Sequence, residues 1–335
     1  MKLYEQVLYI SGIICKDKYL VEYRWDTDIN DVSKHKSYYF ILKLIVKVPK
    51  KIIQTKYRTL ALLKNQYPRK NVYDFMNPSP IEIWSDGNKR IPNNCYFSWK
   101  TNFVANSHYS SLKKFVLSNP DFNFYFFSDF DQDEWMKTNF KGEQILDIYS
   151  RCVFGASKSD IFRICLLEKV GGIFFSINRV IELPLKYFVS DDSNYVVSFD
   201  TSKFERVGAS GKIPLEFREK PVIQWGMMAP PNHGILRIAR EMIISSAPYY
   251  SERRFSSPKV AIWNFDGPYM LTRAVDKYLE STGRNFVTFA GTNYFDSVSV
   301  PKGSEFRYAV EPSYLGAKNS IILRGMPETM SLKSN

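Results

Sequence analysis

From Cys95 onward the chain alternates between two textures. Short apolar runs, CYFSW (Cys95–Trp99), FNFYFF (Phe122–Phe127), IFFSI (Ile173–Ile177) and YVVSF (Tyr195–Phe199), read as strands. Between and after them come stretches of helical periodicity. YSSLKKFVLSNP, Tyr109 to Pro120, is a helix stopped before its proline, and SKSDIFRICLLEKVGG, Ser157 to Gly172, is one ended by a glycine pair. Two later helices are HGILRIAREMIISS and PYMLTRAVDKYLEST. Strands alternating with helices predict an α/β fold with a mainly parallel sheet covered on both faces. Ligands of such sheets bind beyond the carboxyl ends of the strands. Ser128–Asp129, Ser176–Asn178 and Asp200 fall at such ends.

Residues 1–80 read differently, as a mainly helical extension closed by the turn-rich NPSP, Asn77 to Pro80. The domain that follows is expected to span 81–335. The net charge of the chain is +12, and much of it lies in the extension. From Val32 to Tyr73 there are eleven Lys or Arg residues and no Asp or Glu. Such a segment attracts anionic lipid or nucleic acid, and a solvated helical face explains it equally well. Within it, Lys43 and Lys47 share one helical face while Phe40, Ile41, Leu44, Ile45 and Val48 fill much of the rest. A helix of that kind lies on a membrane surface or packs on its own protein. Tyrosines are interleaved with the charge, but no nucleic-acid motif accompanies them, and no nucleic-acid partner is expected. Neither a secretory signal nor an apolar run long enough to span a bilayer is evident.

The four cysteines form no CxxC pair, and there are only three histidines, His35, His108 and His233. Reduced buried thiols are expected rather than a zinc site or a disulfide framework.

Asp160 and Arg163 stand three apart, so they project from one side of their helix, among apolar neighbours. A carboxylate and a guanidinium there need partners. They either pair with each other or serve a ligand, Asp160 accepting from hydroxyls and Arg163 offering a planar fork to phosphate.

Five ordered blocks set this pair in context: IPNNCYFSWKT, NPDFNFYFFSD, ASKSDIFRICLLEKVGGIFF, VIQWGMMAPPNHGIL and NFDGPYMLTRAV, together spanning about residues 91–280. In them the chain resembles glycosyltransferase family 32, the D-x-D sugar-binding region family, which includes yeast outer-chain α-1,6-mannosyltransferases and bacterial capsule and lipopolysaccharide enzymes. The resemblance implies a GT-A-like fold and a retaining hexosyltransferase. Its donor is a nucleotide-diphosphate sugar and its acceptor a glycan or lipid-linked glycan of a surface polysaccharide. It places Asp160, Arg163, Gly171 and Gly172 at the donor sugar. Around the pocket it places Trp99, Gln224, Trp225, His233, Asp266, Gly267 and Pro268. Each has a plainer reading: a core indole at Trp99, a buried strand at Gln224–Trp225, a helix start at His233, and an N-cap at Asp266 before Pro268.

The sequence departs from the family where the metal belongs. Two strand-end carboxylates hold ribose and a divalent metal in the family. Here Ser176, Ile177 and Asn178 stand in their place, followed by Arg179. Near the C-terminus Glu311 stands where the family often has a histidine. Hard cations favour anionic oxygens, so Mn²⁺ or Mg²⁺ has at most Asn178 here. Three explanations compete. A protein cation, Arg179, Lys318 or Arg324, replaces the ion; the chain is an inactive glycosyltransferase-like binding or scaffold protein; or the sequence is a changed member of a metal-dependent family. A cytoplasmic setting is expected, peripheral on the inner face of the membrane through the basic segment.

Overall fold

The computed structural model describes residues 50–79, 90–190, 193–201, 220–282, 287–310, 314 and 317–325. Most of the basic segment, with the amphipathic stretch around Lys43, lies outside them, as does Glu311. The chain divides into two units, Met1–Ile52 and Ile53–Asn335. The larger unit holds the sheet and the candidate site.

Its centre is a seven-stranded sheet. In chain order the strands are β1 Asn77–Pro78, β2 Asn94–Ser98, β3 Asn123–Phe127, β4 Gly172–Ser176, β5 Tyr195–Phe199, β6 Gly226–Ala229 and β7 Val287–Thr292. In space they run β7-β5-β6-β4-β2-β3-β1. Only β6 is antiparallel to its neighbours. The helices are α1 Lys50–Leu63, α2 Asn106–Leu117, α3 Asp129–Asn139, α4 Gln144–Arg151, α5 Gly155–Val170, α6 Gly234–Tyr250, α7 Pro258–Phe265 and α8 Pro268–Thr282.

The strands are apolar throughout because both faces are covered. In β4, Phe174 enters one core with α5, α6 and α8, while Ile173 and Phe175 enter the other with Leu112 and Phe115 of α2. That alternation is the period of two that an extended chain imposes. Helix α5 is apolar nearly all round, and Ile161, Phe162, Ile164, Cys165, Leu166 and Leu167 are each 0% exposed. Such a helix belongs in the interior, which makes any charge it carries expensive. Cys95, Cys152 and Cys165 are free and buried, and burial pushes their thiols up.

The segment before Pro80 needs a correction. Residues 53–79, read from sequence as part of the extension, pack into the larger unit. Val72 and Met76 are buried in the core, Lys70–Asn71 pairs with Phe103–Val104, and Asn77–Pro78 adds the last parallel strand beside β3. A proline is tolerated there because an edge strand does not need its N–H for a further ladder. Among the described residues, no helix is long and apolar enough to cross a membrane.

Candidate active site

The carboxyl edge of the sheet gathers two polar clusters. The first begins on α5. Arg163 Nη2 lies 3.1 Å from Asp160 Oδ1, and only 7% and 15% of the two side chains are exposed. Arg163 Nη1 donates to the Gln224 carbonyl at 2.7 Å, and its Nε to the Ser159 carbonyl at 3.2 Å. Nη2 also reaches Ser159 Oγ at 3.2 Å, and the guanidinium sits 4.9 Å from the centre of the Phe174 ring. Gln224 Nε2 in turn donates to the Asp266 carbonyl at 2.6 Å. Ser157 Oγ donates to the Asp266 carboxylate, closing the network back onto α5.

Two buried carboxyl groups therefore lie within the field of one arginine, which among the described residues pairs with Asp160 alone. Burial pushes Asp160 up from 3.8 to about 6, against the pull of Arg163. Burial pushes Asp266 well above the usual carboxylate range, and the negative charge of Asp160 pushes it further; the Ser157 bond and Arg163 act in the other direction. Asp266 is 0% exposed, and its Oδ1 has no hydrogen-bond partner. An ionised carboxylate in that position is costly, so burial favours the protonated form of Asp266. Its carboxyl turns to Ser157, so it does not act as the helix cap expected from sequence.

The second cluster is the turn after β4. Ser176 N donates to the Trp225 carbonyl at 2.6 Å, and Arg179 N to the Ser176 carbonyl at 2.9 Å, which closes a β-turn. Arg179 Nη1 folds back onto the carbonyl of Asn178 at 3.2 Å. The Ile177 carbonyl lies 2.8 Å from Nε2 of His108, which is 2% exposed. Ser98 joins the two clusters: it is the register partner of Ser176, and its Oγ lies 3.2 Å from Ser159 Oγ. Trp225 stacks on Phe175 and meets Tyr294 edge-on.

Asp160, Arg163, Ser176, Asn178, Arg179, Gln224, Trp225 and Asp266 thus come to one edge. Trp99 follows β2 on the same edge, lining a hollow with His108 and Arg307. Three residues expected at the site do not join it. Gly171 and Gly172 lie at the amino end of β4, about 13 Å of strand from Ser176. Their φ values are +65° and +102°, and a Cβ would stand 2.6 Å from Pro231 Cδ and 2.6 Å from the Asn94 carbonyl oxygen, respectively. They are glycines because the backbone and its neighbours leave no room. His233 caps α6, its Nδ1 accepting from Ile235 N at 3.3 Å, with its ring against Tyr195 and Tyr278. It too lies at the amino edge, beside the first residue of β5. Gly267 and Pro268 make the tight joint between α7 and α8, where a Cβ on Gly267 would sit 2.5 Å from Trp263 Cα.

Tyr314 and Arg307 carried no sequence signal. The charges of Asp160 and Asp266 add to the burial that raises Tyr314, whose ring packs 5.9 Å from Phe154. Lys318 and Arg324 flank Ser320–Ile321, which pairs with Arg254–Phe255, and Arg324 N donates to the Arg151 carbonyl at 3.1 Å.

Ser176, Ile177 and Asn178, at the end of β4, do not fit a divalent metal. They offer neutral oxygens, and among the described residues no group of three or more His, Cys, Asp or Glu side chains could hold an ion.

No protein-family model and no curated protein matches the chain. Among solved structures it is similar to the PaToxG glycosyltransferase, with a TM-score of 0.41 and 13% identity, over 70% of this chain and 82% of that one.

Proposed function

We propose that the chain is a glycosyltransferase that moves a hexose from a nucleotide-diphosphate sugar to a glycan or lipid-linked glycan, with retention, on a GT-A-like fold of the family 32 kind. The observation that carries the reading is the connection through Ser98. It sets the buried Asp160–Arg163 pair next to the turn Ser176–Arg179 at the carboxyl edge of a mostly parallel sheet. That edge is where such sheets bind nucleotides and their sugars.

In this reading Arg163 is held by neighbours on α5 and by Gln224, so it orients rather than moves. Asp160 is the more exposed of the pair and accepts hydrogen bonds from donor-sugar hydroxyls. A fixed acceptor of this kind positions the anomeric carbon without reorganisation. The turn faces the diphosphate, with no step assigned to a metal. The basic segment is proposed to hold the enzyme at an anionic membrane surface on the cytoplasmic side. A second reading, a donor-binding protein without transfer, is favoured by one observation: Ser and Asn stand where carboxylates would.

The test is binding and hydrolysis of a panel of nucleotide sugars, in Mn²⁺ and in EDTA, by the chain and by Asp160→Asn. Turnover in EDTA, reduced at least a hundredfold by the substitution, is the expected result. Donor binding without turnover selects the second reading, and no binding to any donor rejects both.

A further inference from the structure

The chain leaves β7 through a turn that L-residues rarely make. Asn293, Tyr294, Phe295 and Asp296 have φ values of 45°, 50°, 56° and 57°, and none of them is glycine. A left-handed turn brings each Cβ too close to the following carbonyl, so such residues normally occur singly. A run of four persists only where the surroundings fix it.

The surroundings here are specific. Tyr294 N donates to Ser198 Oγ of β5 at 2.8 Å. Asn293 Nδ2 donates to Thr201 Oγ1 at 2.7 Å, just beyond the same strand. Ser297 closes the turn, its Oγ donating to the Tyr294 carbonyl at 2.6 Å and its N to the Asn293 carbonyl at 3.1 Å. The Ser297 carbonyl then accepts from Glu182 N at 2.7 Å, and Val298–Ser299 pairs with Val180–Ile181, so the chain is tied to the segment that follows Arg179.

The turn sends one aromatic ring out and its neighbour in. Phe295 is 60% exposed, and Tyr294 is 0% exposed. The Tyr294 ring meets Phe188 and Trp225 edge-on, at 5.4 Å and 5.9 Å between centres. Its hydroxyl donates to the Gly226 carbonyl at 2.5 Å. Burial pushes that hydroxyl up, so it keeps its proton and remains a donor.

Gly226 is the last of three consecutive residues whose carbonyls each accept from a different part of the site. The Gln224 carbonyl accepts from Arg163 Nη1 of α5 at 2.7 Å. The Trp225 carbonyl accepts from Ser176 N at the end of β4 at 2.6 Å. The Gly226 carbonyl accepts from Tyr294. One stretch of backbone thus sets the positions of the arginine network and of the turn after β4. Two further bonds hold its amino end: Ile223 N donates to the Ser198 carbonyl at 2.8 Å, and Gln224 Nε2 to the Asp266 carbonyl at 2.6 Å. Tyr294 holds its carboxyl end, and Ser198 bonds both Ile223 and Tyr294.

We propose that Tyr294 is a positioning residue of the donor site: the left-handed turn drives its hydroxyl onto the Gly226 carbonyl, which fixes Gln224–Gly226 and, through it, Arg163 and Ser176. The proposal rests on the glycosyl-transfer reading above for what is positioned. Groups that must meet a reacting centre lose rate steeply when they shift, even where the shift starts far from the chemistry.

The test is Tyr294→Phe, which removes one hydroxyl and keeps the ring. Ile243→Val, one methylene removed from the α6 core, is the control for a comparable loss of stability. Two readouts are compared in the full chain. Amide hydrogen exchange at Ser176, whose N–H bonds the Trp225 carbonyl, should be about three- to tenfold faster in Tyr294→Phe than in Ile243→Val. The kcat for nucleotide-sugar hydrolysis should fall about ten- to a hundredfold in Tyr294→Phe, with KM changing less, and stay near that of the unaltered chain in Ile243→Val. Ser198→Ala keeps the hydroxyl but removes the acceptor of Tyr294 N; it should move both readouts in the same direction and decides the matter if Tyr294→Phe does not fold. Exchange or kcat in Tyr294→Phe no different from Ile243→Val overturns the role of Tyr294 and leaves glycosyl transfer standing. Faster exchange at Ser176 in a chain whose unaltered form turns over no donor supports the brace and overturns the glycosyl-transfer reading.

Discussion

The network around Arg163 and the turn Ser176–Arg179 lie on the same edge of the sheet, joined through Ser98, and they are built on different terms. The network is buried, charged and closed: two acids, one arginine, and bonds that run from α5 to Gln224 and Asp266 and back to Ser157. The turn is half-buried, carries no acid, and its one cation bonds the neighbouring backbone carbonyl. Fixed charge is concentrated where a sugar would be oriented. It is sparse at the strand end, where a diphosphate would need it. A site divided in this way gains rigidity from the first region, while the residues of the second leave a negative charge there unmet.

The comparison breaks most sharply at Arg163. Arg163→Met removes the ion-pair partner of the buried Asp160, and removing one partner of a buried pair costs about 3–5 kcal/mol. Urea unfolding should show a loss of that size; a loss under about 1 kcal/mol would mean the network is not closed.

Asp266 tests the protonation of the same network. A carboxyl whose folded value is raised binds its proton more tightly in the folded state. Stability is then fullest near pH 4, below or near the unfolded value, and is lost as pH rises through the folded one, at most about 1.4 kcal/mol per pH unit for one proton. The groups facing Asp266 are Asp160 and Arg163 of α5, Cys152, Tyr250 of α6 and Tyr314. Asp266→Asn keeps an acceptor for Ser157 without the ionisation. It should flatten the fall in melting temperature between pH 4 and pH 8 and leave the protein at least as stable at the upper end. An unchanged slope would place the titration elsewhere.

The smallest stability effect is expected at the turn. Ser176→Asp with Asn178→Asp alters a half-exposed loop, at a cost under about 1 kcal/mol. The double variant should gain a Mn²⁺-dependent rise in melting temperature that the unaltered chain lacks, because an ion that binds the folded state stabilises it. Equal stabilisation of both would show that other ligands hold the ion.

Periodicity and local chemistry made much of the fold legible in the residues themselves. Strand β5 and helix α8 occupy the ranges read from sequence, and the other strands and helices shift by a few residues at their ends. The Asp160–Arg163 spacing put both on one side of a helix, and the apolar run around them required a partner. The loss of strand-end acids is likewise a matter of residue type alone. What the sequence could not supply is distance between segments. Nothing local distinguishes a glycine pair that receives a sugar from one that ends a helix at the far edge of the sheet. Nothing local says that Asp266 turns away from its own helix to Ser157, more than 100 residues earlier. Arg307 has no motif around it, and only the path of the chain after β7 carries it to the hollow beside Trp99. Residue type and spacing are written in the chain because they act over a few bonds. Which charges share one buried volume was decided by the tertiary structure, because that depends on which strands pair and which faces are covered.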